Sequence, residues 1–215
     1  MNDQSGRMST LPPLPGPYRG LRIGLFGGSF NPAHAGHVHV AETALQRLEL
    51  DAVWWLVANG NPFKEQNGQY DARFSSAQRL VRHPRMRVTA IERAFGVRYT
   101  ADLLDRLLPR LTGAQPVLII GADNLAGFHL WGRWSQIADR LPIAVISRPG
   151  ASPKAGLSKF ARRFAMAQHP AGAAGRLAGA KAPAWTYIRA PLEPMSSTEL
   201  RREAELRQRR RLKGV

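Results

Sequence analysis

The chain contains no cysteine. Disulfides, thiol nucleophiles and cysteine-ligated zinc are therefore excluded, and the composition suits a reducing cytoplasm, which is the location expected. No uninterrupted apolar stretch approaches the roughly 18 residues that a bilayer-spanning helix requires, so no membrane partner is expected. Acidic side chains are scarce: 15 Asp and Glu stand against 31 Lys and Arg, a formal net charge of +16. Such a field attracts polyanions, among them ATP, pyrophosphate and nucleic acid. Much of the excess is peripheral, however. Arg201, Arg202, Arg207, Arg209, Arg210, Arg211 and Lys213 crowd the C-terminus, and Lys154, Lys159, Arg162 and Arg163 fall in one late segment. No aromatic stacking platform is interleaved with this charge, which favours a solvated face that steers small anions over nucleic-acid binding.

What is present fits one globular domain: 215 residues, 44% of them hydrophobic, with room for one sizeable core. Residues 1–20 hold Pro12, Pro13, Pro15 and Pro17 and read as a disordered or loosely draped arm, without the apolar segment of a secretory signal. From Leu21 onward, short apolar runs alternate with helical patterns. Strands are predicted over 22–26, 52–58, 87–91, 117–120, 143–147 and 185–189, and helices over 36–48, 71–83 and 100–111, the last capped by Thr100. This alternation predicts an α/β fold: an open, mostly parallel, Rossmann-like doubly wound sheet with helices on both faces. Residues 149–184, rich in Ala, Gly, Pro and Lys, read as one short helix and a flexible loop, and residues 196–213 as a basic C-terminal helix whose Ser196 and Glu199 form a capping box.

In such sheets ligands bind beyond the carboxyl ends of the strands. The segments 27–37, 59–64, 121–123, Arg148 and 196–201 each follow a predicted strand, so they should converge on one rim. The first reads GGSFNPAHAGH. Gly27 and Gly28 let the backbone bend and leave amides open to an anion at a helix N-terminus, for which phosphate is the natural occupant. His34 and His37 lie on one helix face, whereas His39 turns away and weakens any three-histidine metal site.

This string resembles the HxGH signature of the nucleotidyltransferase superfamily. With the later elements, the resemblance runs from about residue 21 to residue 201 and is to the bacterial nicotinate mononucleotide adenylyltransferases. It implies transfer of AMP from ATP to nicotinate mononucleotide, with deamido-NAD and pyrophosphate as products. By the same resemblance His34 and His37 are catalytic and donate hydrogen bonds near the α-phosphate, with Gly27, Gly28, Ser29 and Phe30 on the ATP side. Ser196, Ser197, Thr198 and Arg201 look like the family's SSTxxR element for the triphosphate tail. Lys64 adds a mobile charge from NPFK, where Phe63 replaces the His of the family's PPHK-like string. Gly121 and Asp123, in GADNL, serve the adenosine side, and Arg148 the nucleotide. Tyr99, Thr100 and Trp131 resemble the segments that bind the pyridine mononucleotide, Trp131 by stacking. Mg²⁺ is implied as an ion bridging substrate phosphates, with no protein ligand to name. ATP and nicotinate mononucleotide are thus the expected partners, and a homo-oligomer is left open. The alternatives are a sister enzyme using nicotinamide mononucleotide or phosphopantetheine, and a non-catalytic nucleotide- or RNA-binding protein.

Overall fold

Seven strands, all parallel, form one sheet in the order β3-β2-β1-β4-β5-β7-β6. They are β1 (Arg22–Gly28), β2 (Ala52–Val57), β3 (Met86–Thr89), β4 (Gln115–Gly121), β5 (Ile143–Ser147), β6 (Gln168–His169) and β7 (Trp185–Arg189). The computed structural model describes residues 13–60, 69–147 and 158–190. Within them run helices α1 (Ala35–Arg47), α2 (Tyr70–Leu80), α3 (Ile91–Phe95), α4 (Thr100–Leu107), α5 (Ala122–Leu125), α6 (Trp134–Arg140) and α7 (Lys159–Arg163).

The strands are apolar without polar alternation because both faces are covered, the condition of a parallel sheet in an α/β fold. Alternate side chains feed two separate cores. Ile23, Leu25, Trp54, Leu118, Ile120, Val145 and Trp185 pack on one side with apolar residues of α3, α4, α6 and α7. Phe26, Val53, Trp55, Ile119, Ile146 and Ile188 pack on the other with α1, α2 and residues of the 3-10 stretch Ala171–Gly179. The chain leaves β1 toward β2 and β3, then crosses to β4 and β5 on the opposite side. The strand order therefore reverses between β1 and β4, which opens a crevice at their carboxyl ends.

Four expectations change. Residues 13–20 are not a disordered arm: Leu14 and Tyr18 pack on the first core, Tyr18 edge-on to Trp54, and the Gly20 N–H donates to the Gly113 carbonyl at 2.7 Å. The third strand stops at Thr89, and Ile91 opens α3, its side chain buried in that core. Thr100 is not the cap of α4; Tyr99 is, since its carbonyl already accepts the first helical bond from Leu103 N–H at 3.0 Å. The segment expected to be a flexible loop is ordered over 165–184, because Ala174, Leu177 and Ala178 bury against the sheet and the Thr186 hydroxyl donates to the His169 carbonyl at 3.0 Å. No helix among the described residues is long and apolar enough to cross a membrane.

Candidate active site

At the carboxyl end of β1 the backbone turns, though not at its glycines. Gly27 and Gly28 are the last residues of β1, in register with Leu56 and Val57. The left-handed residue is Phe30, at φ 48°. An L side chain adopts this conformation only when its surroundings over-determine it. Here they do. The Phe30 ring is 1% exposed, stacks on Trp55 at 4.9 Å and meets Phe26 edge-on at 5.5 Å. Glycine is needed at position 28 for space instead: a Cβ there would stand 2.9 Å from the Phe30 ring. Phe30, expected on the ATP side, is thus a wall, and only its backbone can meet a ligand.

That wall supports the histidines. His37 packs edge-on to Phe30 at 5.0 Å, and the His34 and His37 rings lie 3.9 Å apart. His34 caps α1 from an extended backbone (φ −148°, ψ 170°), its Nδ1 accepting from the Gly36 N–H at 3.1 Å, while the His34 N–H donates to His37 Nδ1 at 3.3 Å. This is a capping box built from two imidazoles in place of the usual hydroxyl and carboxylate. It has a chemical consequence. A ring nitrogen that accepts a hydrogen bond carries no proton, so each imidazole is neutral and bears its proton on Nε2. The two Nε2 atoms thus remain as the ring donors at the N-terminus of α1, where the helix dipole also favours an anion, and that of His34, a 2% exposed residue, is buried.

Across the crevice, β4 ends at Gly121, which caps α5. Gly121 is buried and Asp123 exposed, in the first turn of α5, two residues beyond the end of the strand that neighbours β1. Of the residues expected on the acceptor side, Tyr99 and Trp131 lie close together, with Thr100 opening α4 next to Tyr99. Tyr99 is 47% exposed, and its ring carbon Cδ1 lies 3.8 Å from where a Cβ on Gly132 would stand, which sets it beside half-buried Trp131. Trp131 rests against Phe128 at 5.0 Å. Arg133 ties the two segments, pairing with Asp102 and with Asp105 of α4 (2.8 Å to the latter), and Arg140 joins Asp105 as well. The hydrogen bond from Arg133 holds the Asp105 carboxyl below the usual carboxylate range. Of the other tryptophans, Trp54, Trp55 and Trp185 are core residues, and Trp134 is partly exposed beneath the Arg163 guanidinium.

Lys64, Arg148, Ser196, Ser197, Thr198 and Arg201 lie outside the described residues. Conversely, two buried charges at this rim went unread in the sequence. Arg73 of α2 is 3% exposed and Glu92 of α3 8% exposed. Arg73 sits four residues before buried Ala77, so the helical pattern places it on the inward face.

Comparison with known proteins identifies the family of the chain. Residues 25–203 match the Cytidylyltransferase-like family. The chain is 47% identical over 180 residues to a probable nicotinate-nucleotide adenylyltransferase of Cereibacter sphaeroides, covering 83% of this chain and 95% of that protein. It is 51% identical over 183 residues to one of Caulobacter sp. strain K31, covering 84% and 97%. Among solved structures, nicotinic acid mononucleotide adenylyltransferase of Plasmodium falciparum, complexed with NaAD, superposes with a TM-score of 0.64 at 15% identity, covering 84% of this chain and 82% of that one; at that identity the likeness concerns the fold. By its family match and by near-half identity along almost the full length of these relatives, the chain belongs to the cytidylyltransferase-like family and, within it, to the nicotinate-nucleotide adenylyltransferases.

Proposed function

We infer that the chain is a nicotinate-nucleotide adenylyltransferase of NAD biosynthesis and that its chemistry occurs at the crevice between β1 and β4. The 5′-phosphate oxygen of nicotinate mononucleotide attacks the α-phosphorus of ATP in line. A new phosphoanhydride bond forms, the bond to the β-phosphate oxygen breaks, and pyrophosphate leaves with the electron pair. Protein groups need only align the reactants and stabilise charge gathering on the phosphoryl oxygens.

The observation that carries this reading is the imidazole capping box. His34 and His37, neutral and protonated at Nε2, supply two pre-oriented hydrogen-bond donors to the α-phosphoryl oxygens without acting as nucleophiles. Phe30 and Trp55 keep that pair from turning. Mg²⁺, counted as part of the ATP substrate, would offset phosphate charge, and no residue of the chain is assigned to hold it. The donor set at the rim, imidazole and amide N–H groups, suits phosphate oxygens rather than a hard cation. Asp123 accepts from ribose hydroxyls, Tyr99 and Thr100 hold the pyridine substituent, and Trp131 stacks on its ring. Ser196, Ser197, Thr198 and Arg201 take the departing pyrophosphate, with Lys64 and Arg148 adding charge. The reaction is assigned to the cytoplasm.

Pyrophosphate release tests this. The protein is incubated with MgATP and, separately, nicotinate mononucleotide, nicotinamide mononucleotide and phosphopantetheine. Turnover should be fastest with the first. Faster turnover with another acceptor would reassign the substrate, and release with none would refute the activity.

A further inference from the structure

The rim of β1 and β2 is braced from behind by charge. Arg73 reaches from α2 and donates to two backbone carbonyls, Ser29 at 2.7 Å and Ala58 at 2.8 Å, one on each strand's exit. Glu92, from α3, accepts the Asn59 N–H at 3.1 Å. The Ala58 carbonyl and the Asn59 N–H belong to one peptide unit and point in opposite directions. That unit is gripped at one end by the buried Arg73 guanidinium and at the other by the buried Glu92 carboxyl, so its plane cannot rotate without breaking a hydrogen bond to one of them. The two exits are also tied directly, Ala58 N–H donating to the Gly28 carbonyl at 3.0 Å. Holding the Ser29 carbonyl inward has a further effect. The Ser29–Phe30 peptide is trans, so the Phe30 N–H is turned away from Arg73.

We propose that Arg73 and Glu92 are positioning residues: without touching the reactants, they set the orientation of the peptide units that leave β1 and β2, and with them the loop that presents His34 and His37. Each carries an ionisable group into a nearly dry site, which costs stability. Burial depresses the Arg73 guanidinium and pushes the Glu92 carboxyl up to about 7. Groups so disfavoured that nonetheless aim every hydrogen bond named above at rim backbone are there for geometry. A displacement of the reacting groups of about 1 Å can cost on the order of a hundredfold in rate, so modest loop rotation is enough to matter.

This inference rests on the transferase reading, and its test separates the two. Arg73→Met and Arg73→Lys are compared with wild type for kcat and both KM values in the pyrophosphate assay, for ATP affinity by calorimetry without acceptor, and for folding by circular dichroism. In folded Arg73→Met, kcat should fall at least about tenfold and ATP affinity about fivefold, with Arg73→Lys recovering part of both because its ammonium reaches one carbonyl but not two. Unchanged kcat and ATP affinity, or a loss no larger than the unfolded fraction, would overturn the proposal. Should Arg73→Met not fold, Glu92→Leu, which cannot accept the Asn59 N–H, takes its place: slower turnover in the folded variant with recovery in Glu92→Gln supports positioning, and wild-type turnover overturns it. If wild type binds ATP but releases no pyrophosphate with any acceptor, the transferase reading fails, while the ATP affinities of the Arg73 variants still decide whether these residues shape the rim.

Discussion

Replacing Glu92 by Gln should flatten one part of the protein's pH–stability curve, and the size of the effect follows from the site. Glu92 is 8% exposed, and burial raises its carboxyl from the ordinary 4.5 to about 7, against the opposing pull of the Asn59 N–H and Arg73. In the unfolded chain the same group ionises near 4.5. Between these values the folded protein holds a proton that the unfolded chain has released. The stability tied to that proton is complete below 4.5, declines as pH rises and is gone above about 7. A rise of that extent is worth on the order of 3 kcal/mol. Gln keeps an oxygen to accept the Asn59 N–H and cannot ionise. Urea unfolding of both proteins between about pH 5 and pH 8 should therefore show them converging at the acid end. At the alkaline end Glu92→Gln should be more stable by up to about 3 kcal/mol. Parallel curves across this window would refute the reasoning, because they would mean that Glu92 ionises alike in both states.

Other outcomes follow from the same packing. Gly28→Ala places a Cβ 2.9 Å from the Phe30 ring and should destabilise by about 1–3 kcal/mol in urea, with kcat reduced because the wall behind His37 moves; wild-type stability would remove the steric requirement. Trp131→Ala should raise KM for nicotinate mononucleotide roughly tenfold and leave KM for ATP nearly unchanged. Equal KM values for the pyridine substrate in variant and wild type would show that Trp131 does not stack on it.

Strand positions were legible because a parallel sheet covered on both faces leaves a plain signal, short apolar runs such as VLII and AVWWLV between amphipathic stretches. The described part of the rim, the exits of neighbouring β1 and β4, was legible for the same reason, since ligands of such sheets gather at strand ends. What escaped was decided by contacts distant in sequence. The cap of α4 depends on where the chain turns after Gly96, not on which residue has a hydroxyl. The Ala- and Gly-rich stretch around Ala171–Gly179 reads as loop, yet its small side chains are what let it lie close against the sheet, where Leu177 is fully buried. Two adjacent glycines suggested a bend, but the unusual dihedral falls on Phe30 and Gly28 serves to seat its ring. Arg73 and Glu92 are 19 residues apart on two helices; the i, i+4 spacing to Ala77 puts Arg73 on the inward face of α2, but nothing local to either residue shows that the backbone of the β1 and β2 exits is there to receive it. The paired histidines were visible from spacing alone; their protonation was not, because it follows from two hydrogen bonds to backbone amides.

Single-turnover transfer from MgATP to nicotinate mononucleotide, compared between wild type and folded His37→Ala, tests the imidazole pair most directly. Removing one pre-oriented donor to the phosphoryl oxygens should slow the chemical step by about 10²–10³-fold, with ATP affinity changed far less. A His37→Ala protein that transfers at the wild-type rate would contradict the account.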